Sequence, residues 1–475
     1  MSAPIQIAVV GHTNAGKTSL LRTLTRQIGF GEVSDRPGTT RHVEHIDLAI
    51  DGAPAIRYYD TPGLEDSVAL HHHLKSLGDA LTPPEKIRTL LRGPEASRAF
   101  EQEAKVLRQL LDVDAAIYVI DCREAVLPKY RSEIEILSAC GKPVMPVLNF
   151  VRSDDSRETQ WREVLAAYHL HAVVRFDAVA PFMGSEHQLY EDLGVLIRPR
   201  REQLQAVMQE LEQQFVDRRA AACRVVADAL ITAAAMRREI DKSALDEPRV
   251  KTRFVQDFKD DLMTGVRRCV SDLLQIHGFR PDDANIAVLP WTSGRWESDL
   301  FNPETLATAG KLLGKGAVAG AAVGFALDVA LAGMSLGAAT ALGASIGGVL
   351  GQGWGQLPRK LRNKFLAIEE LTLGDEVLLV MADNLVRLCE ALELRGHAAI
   401  SSVRLATDSS QAYREALTRA VLQLGQARGH PEWEHRAEQR YLPSRSRQER
   451  VAGVEHRLIE VLHECAAPED IEPPG

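Results

Sequence analysis

Two hydrophobic rhythms divide the chain. Over residues 1–190, short apolar runs alternate with stretches whose apolar residues recur at helical spacing. "IQIAVV", "HIDLAI", "AIRYYD", "AAIYVID", "KPVMPVLN" and "HAVVRF" have the content of strands, while "KTSLLRTLTRQI" and "RSEIEILSAC" read as amphipathic helices. Such alternation predicts a largely parallel sheet covered by helices, because parallel neighbours need crossover connections. The stretch 64–113 is longer than a usual connection and reads as an insert ahead of the helix "AFEQEAKVLRQLL".

Past "GVLIRPRREQ" the period changes. Leu204, Val207, Met208, Leu211 and Phe215 recur at three- and four-residue steps, the stripe of a helix with one buried face. The remainder reads as nearly all helix, apart from a loop-rich break at 284–303. The expected organisation is an α/β domain over 1–195, a helical region over 196–303, a Gly/Ala-rich helical hairpin over 304–358, a helical region over 359–465 and a disordered tail over 466–475.

Composition narrows the function classes. The chain has 475 residues, 45% of them hydrophobic and 25% charged, which suits two or three globular domains. A net charge of −9 argues against a broad attraction to nucleic acid. Six cysteines without a CxxC pair argue against a zinc site or a disulfide framework. "MSAPIQIAVVGHT" enters a strand directly and leaves no room for a signal peptide, so a cytoplasmic protein is expected.

The chemistry begins at "GHTNAGKT", residues 11–18, which has the spacing G-x-x-x-x-G-K-[ST] between a strand and a helix. Glycines let backbone N–H groups wrap phosphates, the lysine reaches the outer phosphates, and the following hydroxyl binds Mg²⁺. The first domain is thus expected to be an α/β P-loop NTPase domain with a mostly parallel sheet, ahead of a mainly α-helical domain. Lys17 is the phosphate contact and Thr18 the first Mg²⁺ ligand. "YYDTPG" ends a strand with Asp60, suited to the Mg²⁺ shell, and places Gly63 where its N–H can meet the γ-phosphate. In "RPGTTRH", Thr40 is the candidate that reaches Mg²⁺ only when a third phosphate is present, with Thr39 second.

These motifs resemble the Era/TrmE/EngA-type GTPases of the translation-factor-like P-loop class. "GHTNAGKTSLL" is similar to that family's GxPNxGKSSLL, "TTRH" to its switch I and "DTPGL" to its switch II start. The whole chain resembles a bacterial group in which such a domain is joined to a C-terminal domain of unknown function. The resemblance implies binding of GTP and GDP with Mg²⁺, slow hydrolysis, and a K⁺ role for the loop asparagine, here Asn14; ordinary loop hydrogen bonding is the alternative for that side chain. The nucleotide-binding set becomes Gly11, Asn14, Ala15, Gly16, Lys17, Thr18, Ser19, Thr39, Thr40, Asp60, Gly63, Asn149 and Asp154, with Lys17, Thr40 and Gly63 closest to the chemistry and Thr18, Thr40 and Asp60 on the metal.

The sequence departs from that family where guanine is read. The expected NKxD appears as "VLNFVRSDD": Asn149 is in place, Phe150 replaces the lysine, and Asp154 or Asp155 is left to supply the carboxylate. "FDAVAP", residues 176–181, occupies the place of the SAK loop. Leu64 stands where a glutamine would orient water. His71–His73 read as an exposed switch loop, with a general-base role as the alternative. A slow intrinsic rate is expected, raised by a cation, a partner or self-association as a homodimer.

Residues 316–357 contain 22 Gly or Ala among 42, with glycines every four residues and one charge, Asp328. On helices that spacing permits close packing, so a hairpin broken around 328–335 is expected. Its strongly apolar residues favour membrane insertion by on the order of −6 kcal/mol, and Asp328 opposes it by about 3. Lys311, Lys315, Arg359, Lys360, Arg362 and Lys364 flank the tract, with Trp296, Phe301 and Trp354 as interface anchors. A hairpin at the inner membrane, or a membrane-protein contact through 304–364, stands beside a hairpin buried in soluble protein. Arg436, Arg440, Arg445, Arg447, Arg450 and Arg457 read as a solvated helix face. The expected function is a GTP-hydrolysing switch controlling the helical domain. An RNA- or ribosome-associated GTPase and a nucleotide-binding scaffold are the alternatives.

Overall fold

The computed structural model describes residues 3–25, 44–50, 52–177, 184–279, 300–313, 334–336, 368–393, 410–434 and 444–465. The described residues fall into two compact units, one up to Val216 and one from Asp217 onward.

The first unit is built on six strands: β1 (Ile5–Val10), β2 (Glu44–Ile50), β3 (Ala53–Asp60), β4 (Ala115–Asp121), β5 (Val144–Asn149) and β6 (Val174–Arg175). Their order is β2-β3-β1-β4-β5-β6, with every neighbour parallel except β2 against β3. The strand periodicity explains the two cores. Ile5, Ile7 and Val9 on β1, with Ala115, Ile117 and Val119 on β4, face one side. Ala8 and Val10, with Ala116, Tyr118 and Ile120, face the other.

Helices cover both faces. They are α1 (Lys17–Thr25), α2 (Ser67–Ser76), α3 (Pro83–Arg92), α4 (Glu101–Asp112), α5 (Pro128–Ala139), α6 (Glu158–Ala167), α7 (Ser185–Leu196) and α8 (Arg201–Ala235). The long insert is therefore helical, as α2 and α3. Leu204, Val207 and Leu211 of α8 are buried in the same core as Ile7 and Val9, with Met208 packed beside them. That burial is why the first unit runs on to Val216. "HAVVRF" pairs only at Val174 and Arg175.

The second unit is mainly helical, as expected, but it contains a small sheet. β7 (Arg238–Asp241), β8 (Met334–Leu336) and β9 (Ile368–Leu373) pair antiparallel in the order β7-β9-β8. Among the described residues the α-helices after α8 are α9 (Pro248–Ile276), α10 (Pro303–Leu312), α11 (Asp375–Glu393), α12 (Gln411–Leu422) and α13 (Arg445–Cys465). Val255, Phe258, Leu262, Val266, Cys269 and Leu273 form the buried stripe of α9.

Of the helical hairpin expected over 304–358, the described residues are 304–313, in and just past α10, and Met334–Leu336, which is a strand and not helix; the rest lies outside the described residues, as do Trp296 and Trp354. Among the described residues no helix is long and apolar enough to cross a membrane. Phe301, expected as an interface anchor, is buried, with Lys259 Nζ 4.6 Å from its ring centroid. Arg447 departs from the expected solvated face. It is buried and donates to Asp228 at 2.6 Å, to Thr232 Oγ1 at 3.1 Å and to the Trp433 carbonyl at 3.1 Å. Its position on α13 turns it toward α8, where a carboxylate can satisfy it.

Candidate functional site

Between Val10 and Lys17 the chain must curl tightly enough to present its amides to one point. Asn14, exposed at the crest, takes the left-handed conformation (φ 67°), and Gly16 follows at φ 91°. A Cβ at Gly16 would strike the Asn149 side-chain amide and lie 3.5 Å from Phe150 Cζ. That amide in turn donates to the Ala15 carbonyl at 2.9 Å. Ser19, half-buried, lies in the first turn of α1.

Lys17 is folded back along the loop. Its Nζ donates to the carbonyls of Gly11 and His12, each at 3.0 Å. Burial pushes its ammonium below the usual lysine value, while Asp60 and Glu133 act in the opposite sense. An anionic ligand beside it would favour the charged form further.

Asp60 ends β3 beside the loop because β3 pairs directly with β1, Val9 opposite Asp60. Thr18 Oγ1 donates to Asp60 Oδ2 at 2.6 Å, and Asp60 Oδ1 is buried with no hydrogen-bond partner. Burial pushes the Asp60 carboxyl up, opposed by the Thr18 hydroxyl and Lys17. A buried, unpartnered carboxylate oxygen next to a hydroxyl fits a hard divalent cation such as Mg²⁺. Gly63 closes the same corner: a Cβ there would lie 2.8 Å from Thr13 Oγ1 and 2.9 Å from Thr13 N, so only glycine lets this loop approach. Thr39 and Thr40 lie outside the described residues.

Beyond Gly63 the loop is anchored. Leu64 is buried in the core under β1 and β4, so it reaches no attacking water. The Asp66 N–H donates to Glu103 on α4 at 2.9 Å, and the Asp66 carboxylate caps α2 through the Ala69 N–H. His71–His73 consequently lie on a helix and do not form a loop. His71 is 2.6 Å from Glu135, and the His73 ring is 5.5 Å from that of Phe100. Capping by Asp66 and the burial of Ser67, Leu70 and Leu74 on one face explain the helix.

A polar cluster behind the loop had no sequence signal. Glu133 of α5 is fully buried, accepts from Tyr118 OH at 2.8 Å and lies 3.1 Å from His12 Nδ1. Lys129 Nζ is 2.8 Å from His12 Nε2. His12, Tyr118 and Lys129, with Asn14, Asp121 and Tyr130, line a cavity of about 250 Å³. Glu133 stands 121 residues from His12, so only folding reveals the pairing.

At the base-reading edge, Asn149 is buried, and its Oδ1 accepts the Phe150 N–H at 3.0 Å. Phe150 is left-handed (φ 58°), with the Arg123 guanidinium 3.9 Å from its ring centroid. Arg123 is fixed by Asp121 through Nε at 2.9 Å and Nη2 at 2.7 Å. Asp154 and Asp155 are both exposed on the turn that follows.

A buried lysine gripping loop carbonyls, next to a helix hydroxyl paired with a carboxylate on the adjoining strand, defines a P-loop domain. The chain belongs to the family described as Domain of unknown function (DUF3482), which matches residues 162–455, and residues 6–150 match the family described as 50S ribosome-binding GTPase. It is similar to the probable GTP-binding protein EngB of Neisseria meningitidis serogroup C (strain 053442), 44% identical over 148 residues, 30% of this chain and 68% of that protein. It is also similar to the probable GTP-binding protein EngB of Anaeromyxobacter sp. (strain Fw109-5), 41% identical over 63 residues, 12% of this chain and 29% of that protein. The chain thus spans about 29% of that relative's length. Among solved structures, Era in complex with MgGDPNP and a 16S ribosomal RNA segment aligns at a TM-score of 0.28 and 20% identity, over 38% of this chain and 52% of that one.

Proposed function

We propose that the chain binds GTP and GDP with Mg²⁺, hydrolyses GTP slowly, and uses the difference to control its helical domain. The observation that carries this reading is the Lys17–Thr18–Asp60 arrangement, in which a buried cation and an unpartnered carboxylate oxygen stand side by side. Lys17 takes the outer phosphates, Thr18 and Asp60 hold Mg²⁺, and the Gly63 N–H meets the γ-phosphate. Thr40 closes on the metal when the third phosphate is present. With Leu64 in the core, no side chain at that position orients water, so turnover is slow. K⁺ at the exposed Asn14 is the proposed accelerator, and a second copy of the chain is the other. Single-turnover hydrolysis with K⁺ and with Na⁺ tests the reading: phosphate release that is faster in K⁺ is expected, and no release with either salt overturns the hydrolytic part.

The Gly/Ala tract with basic flanks supports a finer reading, in which the nucleotide state governs attachment to a membrane through 304–364. Equal soluble fractions with GTP analogue and GDP would remove it. A second reading, association with the large ribosomal subunit, is supported by the description of the family matching residues 6–150 and opposed by the net charge of −9. Co-sedimentation with 50S particles that depends on the nucleotide would favour it.

A further inference from the structure

Three loops leave the carboxyl ends of neighbouring strands at one edge of the first unit, where open α/β sheets take their ligands. Arg123 follows β4, Phe150 follows β5 and Asp177 follows β6. The parallel register sets Leu148 opposite Arg175, and the Phe176 N–H donates to the Leu148 carbonyl at 2.9 Å. Counting on by two residues brings Asp177 level with Phe150. Phe176 is buried in the core shared with α7 and α8, so the alternation of side chains sends Asp177 to the opposite side of the sheet. Asp177 is itself only 5% exposed, whereas Asp154 and Asp155 are exposed on the turn. Arg123 lies over the Phe150 ring, and its charge is strengthened first by hydrogen bonds to Asp121 and also by the field of Asp177. Arg123, Phe150 and Asp177 are therefore one cluster, beside the phosphate loop at Gly16.

Building on the guanine-nucleotide reading above, we infer that Asp177 is the carboxylate that reads the guanine edge and that the Phe150 ring is the shelf on which the base stacks. Phe150 stands where the related GTPases carry lysine. Arg123 lies over one face of the ring, and the base would stack on the other. The Asp177 oxygens accept from guanine N1–H and from the C2 amino group, a two-bond match that adenine, with no N1 proton and no C2 amino group, does not offer. Asn149 keeps the role seen in the structure, bracing the phosphate loop through the Ala15 carbonyl.

The test is competition by GTP, ITP, XTP and ATP for a fluorescent GDP derivative on the full-length protein, with folding checked by circular dichroism. Inosine lacks the C2 amino group, and xanthine carries a carbonyl there. In D177N the amide can donate to that carbonyl, so the preference for GTP over XTP should fall by about 100-fold or more. D177E keeps the buried charge but displaces it, and should shrink the GTP-over-ITP margin about tenfold. An unchanged margin in folded D177E, an unchanged GTP-to-XTP ratio in folded D177N, or a swap of preference in D154N would each overturn the assignment. So would wild-type protein that binds GTP and ATP equally. Wild type that binds neither GTP nor GDP would sink the nucleotide reading itself, an outcome distinct from these.

Discussion

At the proposed phosphate end of the site, the groups come from the eight residues Gly11–Thr18 and from the end of β3, where Asp60 and Gly63 lie within four residues. At the proposed base end they would come from the ends of three strands, carried by Arg123, Phe150 and Asp177, and no two are close in sequence. The first set is held by short hydrogen bonds along the chain: Lys17 to Gly11 and His12, Thr18 to Asp60. The second is held by sheet register and by one guanidinium lying on one ring. Phosphate needs backbone amides converging on a point, which one loop supplies. A base edge needs a plane and a directed acceptor, and different loops can supply those in many combinations.

Lys17→Ala is the largest lever on the phosphate end. Losing two or more charge-assisted contacts at about 1.5–3 kcal/mol each should weaken GTP and GDP binding by about 100-fold or more. Isothermal titration checks it, and retained tight binding would break the contrast at its stronger end. Gly16→Ala comes next because Gly16 is where the two ends meet. At φ 91° its methyl group would collide with the Asn149 amide, so both nucleotide affinity and base preference should suffer. Damage to affinity alone would show that the ends are independent.

Asp60→Asn should weaken Mg²⁺ binding by about 10–100-fold while nucleotide binding without metal changes little. Mg²⁺ titration of the nucleotide complex separates the two effects. Leu64→Gln tests the absent water-orienting residue. An amide at this buried position should cost about 1–3 kcal/mol of stability and leave the hydrolysis rate unraised. A faster rate would mean that the loop carries residue 64 out of the core during turnover.

The smallest effect concerns the rim of the sheet. Asp47, opposite Arg57 on β2 and β3, is held below the usual carboxylate range first by hydrogen bonds from Arg57. Its contribution is therefore present above the unfolded-state value of about 3.9 and is lost as pH falls through the lower folded-state value. Denaturant midpoints of wild type and Asp47→Ala should converge in that acid window. A gap that persists there would assign the effect to packing.

Legibility followed the same division. The loop at 11–18, Asp60 and Gly63 could be read because their spacing is local, and the strands around them because apolar residues alternate along each one. The sheet and its parallel sense followed from that alternation. Glu133 behind His12 could not be read, since an acidic residue on an amphipathic helix looks like a solvated one until the helix packs. Arg447 misled in the same way: interleaved glutamates suggested an exposed face, yet its partner Asp228 lies 219 residues earlier. The His71–His73 run resembled a loop because the cap that makes it a helix is the ordinary-looking Asp66. Strands as short as Met334–Leu336 carry too few residues to show a period.

The long span between Asp228 and Arg447 bears on the order in which the protein takes shape. All described strands of the first unit are on hand once Arg175 has been synthesised, and α8 supplies its covering stripe by Leu211. The second unit must wait: Arg219 meets Glu393, and Asp228 meets Arg447, only after nearly the whole chain has emerged. Until then the carboxylate that Arg219 will meet and the guanidinium that Asp228 will meet have not been made. Pairing at such long range slows folding and lengthens the interval in which a growing chain is open to aggregation and to the help of chaperones.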